Sequence, residues 1–204
     1  MSATATTSAG ARVAMPHGVI DVRRGTWAMV MFIFTEATLF AMLFFSYYYL
    51  RHFARGPWPS DPPKLTLALV MLVVLLGSSA VLHAAERAER AGRRGLAKSG
   101  VAATGLMGIG FLGLQVLEYR NHLKTLTPMT DAYGSIFYTI TSFHGAHVIL
   151  GLLMLSYVLI LPEIGPAQKP PHWALHNASL YWHFVDFIWL LVVTLLYVAP
   201  RLTR

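Results

Sequence analysis

Glu36 stands inside the apolar run FIFTEATLF, residues 32–40. An ionisable side chain there is costly against lipid and uncommon in a soluble core, so it needs a partner. Other polar residues sit in similar surroundings. SFHGAHVILG places His144 and His147 at i,i+3 on one helical face. YWHFVDFIWL places His183 and Asp186 at the same spacing, with Trp182 and Trp189 seven residues apart. His83 and Glu86 close another apolar run, in LHAAERA.

Metal binding is the first chemistry to weigh. A histidine-rich metal box needs several convergent imidazoles backed by carboxylates. The sequence has 9 histidines, with an HxxxH pair at His172 and His176, but no HH dipeptide. His172 follows Pro170–Pro171, and His17, His52 and His122 are scattered among loops. This pattern assigns neither a protein-bound metal nor an axial haem pair. With no cysteine there is no thiolate site or thiol nucleophile. A phosphate-cradling glycine loop and a GxSxG elbow are both missing, so no catalytic residue is assigned.

What positions these groups is a set of long apolar segments. The chain has 204 residues, 55% hydrophobic and 12% charged, about half the charge of an ordinary soluble domain. Five runs, approximately 27–50, 65–85, 99–117, 135–161 and 179–199, each approach the roughly 20 residues that cross a bilayer as a helix. The expected fold is all-α: one polytopic domain of five transmembrane helices over 27–204, after a polar, loose cytoplasmic segment at 1–26 without a signal-peptide apolar region. Prolines break the first and fourth loops. Glu86/Arg90 and Glu89/Arg93 predict that the second helix extends into water until Gly92 and Gly95 end it. The densest basic cluster is this second loop, which favours N-in, C-out. Trp27 and Tyr47–Tyr49 suit the two interfaces of the first span. The net charge of +7 is distributed as membrane topology and anionic-lipid signals, not as a nucleic-acid surface. Gly100, Thr104 and Gly108 form a small-residue stripe on the third helix, read as a packing face.

Counting along the spans puts Glu36 roughly 13 Å and His147 roughly 20 Å from the inner surface, a difference that helix tilt reduces. Glu36 is therefore expected to face inward and meet His147. His144 is less well matched in depth, and Gly145 would permit close approach. Either a protonated Glu36 donates to neutral imidazole, or the pair is ionic. The pair serves either as a clasp between helices or as part of a proton or ion path. Trp182, His183 and Asp186, with His83 and Glu86, are read as a phospholipid-headgroup pocket or as helix-packing contacts near the inner leaflet. Glu118 and Tyr119 are read as an interfacial polar cluster with no assigned chemistry.

Taken in order, these strings resemble subunit III of haem-copper respiratory oxidases. The resemblance runs from Trp27 to Tyr197 and rests most on FHGAHVILG and YWHFVDFIWL, supported by TEATLF, LGSSAVLHAAERA, LQVLEY and YGSIFYTITSFHG. It implies a noncatalytic subunit of a proton-pumping terminal oxidase in a bacterial inner membrane. The haems and copper would lie in partner subunit I, with subunit II in the same complex. It also implies phospholipid bound in a cleft and support for turnover and proton uptake. The family's buried acid matches Glu36, its paired histidines match His144 and His147, and its Trp-His-Phe-Val-Asp string matches residues 182–186. Many family members have two further N-terminal helices, which form one wall of the lipid cleft. Without them the cleft would be shallower or closed by another subunit. PKLTLALV also lacks an asparagine common there in the family. Short forms occur with cytochrome c oxidases, with quinol oxidases and beside nitric oxide reductase, so the electron donor stays open. The readings outside this family are a small proton or ion transporter built on Glu36, His144 and His147, and a His-box membrane oxidase.

Overall fold

The computed structural model describes residues 17–54, 58, 65–122, 132–164 and 172–202. These residues form α1 (His17–Phe53), α2 (Leu65–Arg90), α3 (Arg94–His122), α4 (Ala132–Ile164) and α5 (His172–Val192). The last continues through a π-helical segment, Val193–Val198, into a short final turn, α6 (Ala199–Leu202). No strand occurs among the described residues. Five stretches are long and apolar enough to cross a membrane: Gly25–Phe53, Leu65–Arg90, Arg94–His122, Ala132–Ile160 and Trp173–Leu202.

The helices outrun the apolar segments that announce them. α1 starts at His17, not Trp27, α3 at Arg94, not Ser99, and α5 at His172, directly after two prolines. Hydropathy locates the part of a helix that can sit in hydrocarbon. The i→i+4 ladder continues through polar residues until something breaks it. Residues 1–16 of the expected loose segment lie outside the described residues.

Between α2 and α3 the break is Gly92 alone, with φ +75°. Gly92 N–H donates to Glu89 O and Arg93 N–H to Ala88 O, each at 2.9 Å, the paired bonds of a Schellman cap. Gly95 lies in the first turn of α3 and ends nothing, contrary to expectation. Arg93 falls in the turn, past the end of α2, so its spacing from Glu89 is not that of two residues within one helix.

In the fifth span the irregularity is a π-turn. Pro200 has no N–H to give to the Leu196 carbonyl, and its ring crowds that carbonyl. The strain is relieved by widening the turn: Ala199 N–H reaches back five residues to Thr194 O, and Tyr133 of α4 donates its hydroxyl to Leu196 O at 3.3 Å.

α5 is the hub. It packs against α1, α2 and α4, while α3 closes the far side on α2 and α4. The most buried large side chains include Trp182, Trp189, Tyr181 and Tyr197 from this span, with Phe111 of α3 and Phe137 of α4. The expected stripe on α3 is a packing face. A Cβ on Gly100 would lie 2.8 Å from Ala85 Cβ, and Thr104 Oγ1 donates to Ser78 O at 3.3 Å. Gly108 and Gly151 make a slot for the Trp182 indole, which added Cβ atoms would meet at 2.7 and 2.8 Å. Trp182 Nε1 then donates to Ser78 Oγ at 2.9 Å. One side chain of α5 thereby ties together α2, α3 and α4.

Candidate functional site

The midspan turns of α1 and α4 bring Glu36 and His147 together. His147 Nε2 lies 2.9 Å from Glu36 Oε2, and its Nδ1 lies 2.7 Å from Phe143 O, one turn back on the same helix. A carbonyl oxygen only accepts, so the network assigns the hydrogen on Nδ1. The second contact then needs a single shared proton. Either a Glu36 carboxyl donates to neutral Nε2, or Nε2–H⁺ donates to the carboxylate. A carboxylate facing the bare Nε2 lone pair would be repelled. Phe40 covers the imidazole edge-on at a centroid distance of 4.9 Å, and both side chains are mostly withdrawn from the surface.

His144 does not join this pair. It is fully buried on α4, with its ring 5.6 Å from Phe111 and 4.9 Å from Trp189. Neither of its ring nitrogens has a hydrogen-bond partner. One helical turn separates the two histidines, but they belong to different surroundings. Gly145 also serves a different neighbour from the one expected. A Cβ there would lie 3.0 Å from Gln115 Oε1 of α3, so the close approach is to α3 and not α1.

The α2–α5 seam gathers a second group. Glu86 Oε1 lies 3.2 Å from His176 Nδ1, and its Oε2 lies 4.0 Å from His83 Nδ1. Glu86 thus turns toward α5 instead of along its own helix to Arg90. Further along the seam, His183 Nδ1 meets Ser79 Oγ at 2.5 Å and Nε2 meets Ser179 Oγ at 3.3 Å. Asp186 is buried, and its Oδ2 lies 3.9 Å from His183 Nδ1. Neither of its oxygens has a hydrogen-bond partner. His83, His176 and His183 are each about half exposed along the seam. Trp182 is not part of that open face. Its indole is wholly buried in the glycine slot, so its role is packing; Trp189 is likewise interior.

Two partners escaped the sequence reading. His176, set aside with the HxxxH pair, is the partner of Glu86; it stands seven residues from His183, as Ser79 does from Glu86, so both seam faces carry a heptad signal. Glu118 is 2% exposed and accepts a hydrogen bond from Tyr197 at 2.9 Å, so near the end of α3 it faces into the bundle. The signal was the α3 stripe itself: Thr104, Phe111 and Glu118 recur every seven residues on the buried face. Tyr119 beside it bonds Thr141 and Ser142 of α4, and Gln115 Nε2 donates to Thr141 O at 2.7 Å. Among the described residues no three His, Asp or Glu side chains are grouped so as to hold a metal ion.

The sequence profile described as Cytochrome c oxidase subunit III matches residues 14–200. "Cytochrome c oxidase subunit 3" of Synechocystis sp. is 35% identical over 184 residues, covering 89% of this chain and 77% of that protein. The protein of that name from Thermostichus vulcanus is 32% identical over 203 residues, covering 95% and 96%. The one from Bacillus subtilis is 33% identical over 180 residues, covering 85% and 84%. With the profile matched over residues 14–200 and relatives at 32–35% identity matched over most of their length, the chain belongs to the cytochrome c oxidase subunit III family.

Proposed function

We propose that this multi-pass membrane protein is the noncatalytic subunit III of a proton-pumping haem-copper terminal oxidase in a bacterial inner membrane. Its N-terminus lies inside and its C-terminus outside. Subunit I holds the haems and copper, subunit II completes the complex, and cytochrome c is the electron donor. The chain stabilises subunit I, binds phospholipid along the His83–Glu86–His183–Asp186 seam and supports proton uptake. The observation that carries this reading is the family match over residues 14–200. The site chemistry supports the same role. Glu36 and His147 share one proton and close a clasp between two spans, which suits a scaffold that must hold its first helix against the bundle.

The test is affinity purification through this chain from native membranes. A haem-copper spectrum, a copurifying subunit I and oxygen reduction with cytochrome c are expected. A subunit-III-depleted enzyme should start at near-normal rate and then lose activity during turnover. A chain that purifies alone as a well-folded monomer, or beside a nitric oxide reductase, would refute the assignment. Proton flux in vesicles containing only this chain would favour a transporter.

A further inference from the structure

The α2–α3 turn carries Arg87, Arg90, Arg93 and Arg94 within eight positions, and all four are exposed. The Schellman cap at Gly92 makes the turn only three residues long, Ala91–Arg93, between two helices that each qualify as a membrane span. Arg87 and Arg90 sit on the last turn of α2, within about 6 Å of its end along the axis. Arg93 and Arg94 open α3. The guanidinium groups therefore stand at the depth of phospholipid headgroups, with their aliphatic stems along the hydrocarbon edge. Leu96, 59% exposed on the same turn of α3, presents an apolar surface beside them. Of the nearby acids, Glu86 is turned away into the α2–α5 seam and Glu89 is half-buried, so the outward face is cationic.

We propose that the α2–α3 turn is a docking surface for anionic phospholipid, with the four guanidinium groups taking the phosphodiester oxygens and Leu96 lying against the upper acyl chain. Arginine forks suit phosphate oxygens and hold them by paired charge-assisted bonds. The turn favours lipid over an acidic protein surface for a geometric reason. With a turn of only three residues, Ala91–Arg93, the arginines and the exposed apolar Leu96 stand together at the helix ends, where headgroup and acyl chain meet. This surface lies outside the α2–α5 seam and stands independently of what that seam binds.

The experiment is native mass spectrometry of the purified complex in neutral detergent, titrated with phosphatidylglycerol or with phosphatidylcholine of matched chains. Phosphatidylglycerol should bind about tenfold more tightly, and the preference should shrink as salt rises from about 0.05 to 0.5 M. The quadruple variant R87Q/R90Q/R93Q/R94Q should lose the preference, and the quadruple lysine variant should keep most of it. If the glutamine variant fails to accumulate, R87Q/R90Q and R93Q/R94Q should each weaken phosphatidylglycerol binding several-fold. Equal binding of the two lipids by the unaltered complex, or a preference unchanged in the arginine variants, would overturn the proposal. So would loss of a partner subunit with lipid preference intact, which would assign the turn to an acidic protein surface.

Discussion

α1 and α5 are both apolar membrane spans, yet they are held in different ways. In the most apolar eighteen residues of each, half of the fifth span is buried against 11% of the first. α5 is fixed by shape: Trp182 fills a slot that only glycine permits on two facing helices, and Trp189 and Tyr197 continue the interior seam. Among the described helices α1 packs chiefly on α4 and α5, and it leaves Trp27, Phe34, Met42 and Phe45 exposed. Its distinctive attachment is one hydrogen bond, Glu36 to His147. A span surrounded by lipid gains little from burying more hydrocarbon, because the acyl chains are equally apolar. Close packing holds the hub of the bundle; its outer helix adds a polar contact to a narrower buried stripe of Phe40, Phe44 and Tyr47.

The contrast can be broken most severely at the hub. Gly151→Val should cost about 1–3 kcal/mol or more, since even a methyl group would sit inside the indole's van der Waals radius. The expected outcome is a sharp drop in yield and thermal stability of the isolated subunit, read by denaturation in detergent. A Gly151→Val protein as stable as the parent would mean that the slot is not tight. His147→Leu and Glu36→Ala come next. Each strands a largely buried polar partner, at about 1–3 kcal/mol, and the double variant should cost less than the sum. Faster hydrogen exchange confined to α1 would place the loss at the clasp; full additivity would show that the two groups act apart.

Tyr197→Phe should weaken the opposite end of the bundle by a similar or slightly smaller amount, because Glu118 loses its phenolic donor while the ring's packing is kept. Glu118→Gln should be milder, since an amide oxygen can still accept from Tyr197. Glu36→Gln is predicted to be milder still for the clasp. With the hydrogen on His147 Nδ1, a glutamine amide can donate to Nε2. Initial oxygen reduction should remain near normal, and the effect should surface as slower assembly or weaker lipid retention. Immediate and total loss of turnover in an intact complex would contradict a scaffolding role. The smallest change is Gly92→Ala, about 1 kcal/mol from forcing a side chain into φ +75°, visible as a modest fall in midpoint temperature.

Some of this was legible in the residues and some was not, for separable reasons. The five spans follow from solvent incompatibility, which needs only composition. Glu36 and His147 could be paired by counting residues from a common surface, because rise per residue is fixed and both helices must cross the same slab. Which way a helix faces is harder. Trp182, His183 and Asp186 stand within five residues on α5, yet one is open to the seam and two are interior, and nothing local to the string distinguishes them. Gly145 posed the same difficulty, since a missing side chain does not say which neighbour comes close. The place of Glu118 near a helix end says nothing of which way it faces; the seven-residue recurrence on α3 does, and puts it inside the bundle.

The π-turn near the C-terminus changes how length and direction relate there. One additional residue per turn swings everything downstream by about 100° relative to a uniform α-helix. Tyr197 points at Glu118 because of that offset. Removing a single residue between 193 and 198 would therefore barely shorten the span, but it would re-aim its last side chains toward lipid. A homologue one residue shorter in this segment should carry its phenol at a neighbouring position or lack the buried acid.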